Sequence, residues 1–110
     1  MQKHSILLVE DEEHLHEALK LNLEMEGYEV TSAFDGAVAL KKISNEFFHL
    51  IIMDIMLPEV DGIAVTEAVR VANNEVPIVI LSAKNASAID EMATVPAAPP
   101  SKLSKKLIEL

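Results

Sequence analysis

The chain has 110 residues, half of them hydrophobic and 25% charged, enough for one domain with a real core. Its net charge of −9 argues against nucleic-acid binding, because a phosphate backbone attracts Lys and Arg. The absence of cysteine excludes disulfides and thiolate metal sites. No stretch approaches the roughly 20 apolar residues that span a bilayer, and the run Ile6–Val9 is too short for the core of a signal peptide. A soluble, cytoplasmic protein without membrane contact is expected.

In chain order, strands and helices alternate. Ser5–Val9 is a short apolar run, the pattern of a strand buried on both faces. From Glu12 to Glu26, Leu15, Ala18, Leu19 and Leu23 recur at helical spacing. The acidic start (Glu12, Glu13) suits the positive end of a helix dipole, and Gly27 supplies the stop. Tyr28–Ala33 reads as a second strand. Asp35 caps a helix running to about Lys42, with Ala37, Leu40 and Ile43 predicted inward. His49–Asp54 is the third strand. After the loop Leu57-Pro58-Glu59-Val60, Asp61 caps a helix from Gly62 to about Val71, with Ile63, Val65, Ala68 and Val69 predicted inward. Asn73-Asn74 breaks it, and Pro77–Ser82 is the fourth strand. Helices of this length between strands imply right-handed crossovers and a parallel sheet. Beyond Asn85 a weak helix (Ala86–Thr94), a proline–alanine segment (Val95–Pro100) and a last helix (Ser101–Leu110) are expected.

Two of the strands end in acids: Ile6–Val9 in Glu10-Asp11, and Leu50–Met53 in Asp54. A parallel sheet would bring these three carboxylates to the edge where open α/β folds bind ligands. Crowded there, they must take up protons or share a cation. A hard, oxygen-seeking ion such as Mg2+ fits, and a carboxylate beside it is a possible phosphoryl acceptor. Other histidines and acids read as ordinary. His14 and His16, two apart, point to different sides of a helix and make no metal pair. His4 and His49 have no evident partner in the sequence, Glu12 and Glu13 read as solvated first-turn acids, and the methionines read as core filler.

The series Ile6–Glu12, Met53-Asp54-Ile55-Met56-Leu57-Pro58, Asp61-Gly62 and Leu81-Ser82-Ala83-Lys84 resembles a response regulator receiver (CheY-like) domain. Glu26–Val30 and Ala33–Gly36 fit the same pattern, and the likeness covers about residues 4 to 85. The resemblance implies a flavodoxin-like, doubly wound parallel sheet with strand order 2-1-3-4-(5). It implies Asp54 as phosphoacceptor and Mg2+ held by Asp11, Asp54, the backbone carbonyl of Met56 and Glu10, the last directly or through water. Ser82 would be the switch hydroxyl, and Ala83 would leave room for the phosphoryl group. A sensor histidine kinase or histidine phosphotransfer protein would be the donor.

The tail departs from the family pattern. It carries no Asp-Asp-Tyr-Leu strand and no lysine followed by proline. The fifth strand is therefore expected to be degenerate, at Thr94–Ala98, or missing; Lys102, which precedes the last helix, becomes the candidate site lysine, with Lys105, Lys106 or an empty role as the alternatives. A single domain over residues 1–110 is expected, not an enzyme with a separate substrate, and a monomer or weak homodimer. If a DNA-binding domain belongs to the full protein, this chain is its input half. A receiver-like module that is never phosphorylated is the alternative. A Mg2+-dependent phosphohydrolase fits less well, because no aspartate stands two residues beyond Asp54.

Overall fold

In the computed structural model of the protein, the described residues are 3–55, 57 and 60–81. They form β1 (Ser5–Val9), α1 (Glu13–Met25), β2 (Glu29–Ala33), α2 (Gly36–Asn45), β3 (Leu50–Asp54), α3 (Gly62–Val71) and β4 (Ile78–Leu81). All pairings are parallel, in the order β2-β1-β3-β4. This is the predicted 2-1-3-4 order. The fifth strand and everything expected after Leu81 lie outside the described residues.

Strand alternation sorts the core into two layers. Even-numbered residues Ile6, Leu8, Leu50 and Ile52 pack with Leu19 and Leu23 of α1. Odd-numbered Leu7, Val9, Ile51 and Met53 pack with Ala39 of α2 and with Val65 and Val69 of α3. Helices thus cover both faces. All eight strand residues are fully buried, so each contributes roughly 1.5–3 kcal/mol of apolar burial. The continuous apolar runs in the sequence follow from this, since neither face of the central strands meets water.

Local chemistry sets the helix ends. Glu12 caps α1 with its side chain, accepting from the backbone N–H groups of His14 at 3.1 Å and Leu15 at 2.7 Å. Asp35 accepts from Val38 N–H at 2.8 Å and Asp61 from Ala64 N–H at 2.8 Å. Both α1 and α3 close with paired back-bonds that satisfy their last carbonyls. In α1, Gly27 N–H donates to Glu24 and Tyr28 N–H to Leu23, with Gly27 at φ 96°. In α3, Asn73 N–H donates to Arg70 and Asn74 N–H to Val69, with Asn73 at φ 58°. Asparagine here does the glycine's work, because its short polar side chain tolerates the left-handed region.

Several predicted boundaries and faces need correction. Tyr28 and His49 precede their strands, and α2 continues past Lys42 to Asn45. There Ser44 Oγ and Asn45 Nδ2 donate to the carbonyls one turn back, at 3.0 and 2.9 Å. On α1 the inward line is His16, Leu19 and Leu23, while Leu15 and Ala18 are exposed. On α2 Ala37 is exposed and Ala39 is buried; on α3 Ile63 and Ala68 are exposed. These helices carry apolar residues on more than one side, so periodicity leaves their rotation open. The chain's exit from each strand end then fixes the inward line. Met25 is 75% exposed and is not core filler, whereas Met53 is fully buried.

Candidate functional site

The register places the acids. Val9 pairs with Met53, so Glu10 follows directly beside Asp54, the last residue of β3. Ligand oxygens of Glu10, Asp11 and Asp54 all lie within 4.8 Å of one another. Glu10 is buried, Asp54 half-buried and Asp11 exposed. Of the other site residues read from the sequence, Met56, Ser82 and Lys102 lie outside the described residues.

Glu10 is held at both backbone ends. Its N–H donates to the carbonyl of Ala33 at 3.1 Å, and its own carbonyl accepts from His16 Nδ1 at 2.8 Å. Its Oε2 accepts from Glu12 N–H at 2.9 Å. At 2% exposure the carboxylate has lost most of its water. Burial pushes its pKa up from 4.5 to about 7, and the bond from Glu12 N–H opposes the rise only in part. The charge of Asp54 and hydrogen bonds with Asp11 and Asp54 add to it. Near neutral pH the cluster thus takes up a proton unless a cation replaces it.

The donor set fits such a cation. Three carboxylates with no nitrogen or sulfur among them are hard ligands suited to Mg2+. The largest oxygen separation across a magnesium octahedron is about 4.2 Å. A 4.8 Å set accommodates one carboxylate acting through water, one of the two modes expected for Glu10.

Two residues matter here that sequence reasoning passed over. Gly62, read as the start of α3 and as part of the Asp61-Gly62 pair of the family pattern but given no role at the site, lies against the strand end: its N–H donates to the carbonyl of Ile55 at 3.2 Å. A Cβ there would stand 2.5 Å from the Asp54 carbonyl oxygen. The sequence signal was the Asp-Gly pair, which a capping role already explained. His16 is fully buried and stacks on Phe34, with ring centroids 4.1 Å apart. Its signal was a polar residue in register with Leu19 and Leu23, visible only once the inward side of α1 is known.

A family model described as the response regulator receiver domain matches residues 6–99. The chain is 46% identical over 80 residues to the alkaline phosphatase synthesis transcriptional regulatory protein PhoP of Bacillus subtilis, an alignment covering 73% of this chain and 33% of that protein. It is 39% identical over 80 residues to the response regulator ArlR of Staphylococcus saprophyticus, covering 73% of this chain and 36% of that protein. The chain spans about a third of the length of the curated relatives it matches. Among solved structures, the response regulator protein TrrA from Thermotoga maritima in complex with Mg2+–BeF is similar at TM-score 0.71 and 29% identity, covering 94% of this chain and 98% of that one. A CheY-like receiver domain protein from Methanospirillum hungatei gives TM-score 0.71 and 29% identity, over 98% of this chain and 96% of that one.

Proposed function

The chain belongs to the response regulator receiver domain family of two-component systems, and from that premise we propose that it is a phosphoacceptor that uses Asp54 and Mg2+. The observation that carries this reading is the meeting of Glu10, Asp11 and Asp54 within 4.8 Å at the end of the sheet. A sensor histidine kinase or histidine phosphotransfer protein is the donor. An Asp54 carboxylate oxygen bonds to phosphorus, the phosphorus–nitrogen bond breaks, and its electron pair leaves with the donor imidazole. The protein supplies little covalent chemistry beyond the carboxylate nucleophile, so the transfer requires mainly positioning and charge neutralisation.

Glu10, Asp11, Asp54 and the Met56 carbonyl would hold Mg2+, which supplies positive charge where phosphoryl oxygens gather. The solved structure of TrrA in complex with Mg2+–BeF supports this reading. Ser82 is assigned as the hydroxyl that turns toward the phosphoryl group on sequence resemblance, and Lys102 as the site lysine because it precedes the last helix expected from the sequence. The added negative charge then biases the surface around the site. The module is a switch with no separate substrate to turn over, and a monomer or weak homodimer, checked by light scattering. Because PhoP is a transcriptional regulatory protein, the output we assign is control of transcription through a DNA-binding partner domain.

Intact-mass spectrometry after incubation with acetyl phosphate and Mg2+ tests the reading, with Asp54→Asn as control. A gain of one phosphoryl group in the wild type alone is expected. A folded chain that binds Mg2+ and gains nothing would instead be a receiver fold used only for protein contact.

A further inference from the structure

We infer that His16 is a positioning residue for the cation site. It aims two of the three carboxylates by holding the peptide that joins Glu10 to Asp11. This rests on the Mg2+ reading above and deepens it.

The carbonyl of Glu10 can only accept, so His16 Nδ1, 2.8 Å away, carries the proton. A peptide unit is planar. Pinning its oxygen therefore limits rotation on both sides of it, about ψ of Glu10 and φ of Asp11. Those two torsions decide where both acid side chains point. The other end of Glu10 is fixed by its N–H bond to Ala33, and Phe34, the next residue in the chain, stacks on the His16 ring at 20° between planes. One imidazole thus ties α1 and the end of β2 to the peptide bearing the ligands.

The other ring nitrogen shows what the residue is for. Among the described residues, the one buried side-chain nitrogen or oxygen without a hydrogen-bond partner is His16 Nε2. A residue placed only to fill the core would be better apolar, like Leu19 and Leu23 on the same line. Burying an orphan nitrogen opposes folding, and what the histidine gives in return is a single directed N–H at the Nδ1 position.

Geometry makes the test selective. Asparagine carries an amide N–H at nearly the reach of Nδ1, glutamine carries one at the reach of Nε2, and leucine carries none. Mg2+ binding by isothermal titration calorimetry, with thermal unfolding in parallel, compares the three variants with wild type. Removing a supporting partner behind a metal ligand weakens affinity about 10- to 100-fold. His16→Leu should thus bind Mg2+ at least about tenfold more weakly while remaining folded, and His16→Asn should stay within about threefold of wild type. His16→Gln should behave like leucine. Stability should not follow the same order, since asparagine leaves space beside Phe34 and leucine fills it. A folded His16→Leu with wild-type affinity overturns the inference, as does equal affinity in the asparagine and glutamine variants. If the leucine variant does not fold, the asparagine–glutamine pair decides alone. A wild-type chain that takes up no Mg2+ overturns the metal reading and this inference together; unchanged affinity in the leucine variant overturns only the latter.

Discussion

The paired strands β1 and β3 end very differently. At their C-terminal ends, Glu10, Asp11 and Asp54 crowd together, Glu10 is nearly without water, and His16 Nε2 has no partner. At their N-terminal ends, Ser5 N–H donates to His49 Nδ1 at 2.9 Å and the Ser5 hydroxyl lies 3.1 Å from the same nitrogen. The rings of His4 and Phe47 stand edge-on to His49, with centroids 4.9 and 4.8 Å from it. A cavity of about 630 Å³ opens beside them, lined by Ile43, Phe48 and Pro77 among others. The same two strands therefore carry an end where three acids crowd together and an end whose polar groups pair with one another. Acids crowded at the end of a parallel sheet, one of them buried with a raised pKa, mark the candidate site. The cavity, though roomy, marks no chemistry.

The contrast is sharpest in its dependence on pH. Glu10 has a folded-state pKa of about 7, raised from 4.5. Its proton-linked stabilisation is therefore fully present below about pH 4.5 and is lost as pH rises through about 7. In cation-free buffer this removes roughly 3 kcal/mol between those limits. Glu10→Gln cannot ionise, so it should be more stable than wild type at pH 8 by up to about that amount and nearly equal at pH 4. Denaturant titrations at the two pH values, with EDTA, check this; a constant difference would remove the electrostatic account of the acid end. Mg2+ should restore the wild type at pH 8 and not the variant, and its affinity should rise with pH as the Glu10 proton leaves.

Gly62→Ala comes next. The added carbon meets the Asp54 carbonyl oxygen at 2.5 Å, and that backbone must shift. About 1–3 kcal/mol of destabilisation is expected, together with weaker Mg2+ binding, measurable by urea unfolding and calorimetry. Unchanged Mg2+ affinity would show that the strand end tolerates the displacement.

The other end should change stability without touching the site. His49→Phe keeps a ring but leaves Ser5 N–H without its acceptor, for a loss of about 1 kcal/mol and an unaltered phosphorylation rate with acetyl phosphate. A changed rate would mean that the two ends communicate along the strands. Smallest of all, Phe47→Ser at a side chain 75% exposed should alter stability by no more than about 0.5 kcal/mol. A larger loss by urea unfolding would give the edge-on ring contact a weight its exposure does not suggest.

The elements up to Leu81, their order and the identity of the acids that meet were legible in the sequence because each rests on short-range signals. Apolar runs bounded by Gly27, Asp35 and Asp61 fix strand and helix type, since caps and breakers act within one turn. The strand ends themselves pointed to Glu10, Asp11 and Asp54. What the sequence left open was rotation. Leu15 and His16, or Ala37 and Ala39, serve equally well as the inward line of a helix until the sheet is in place, and only the sheet put His16 inward. The raised pKa of Glu10 and the close approach of Gly62 to Asp54 likewise arise between residues far apart in the chain. Periodicity and capping are local and are written in the sequence. Burial, charge crowding and the aim of a carbonyl depend on neighbours from other elements, so tertiary structure alone decided them.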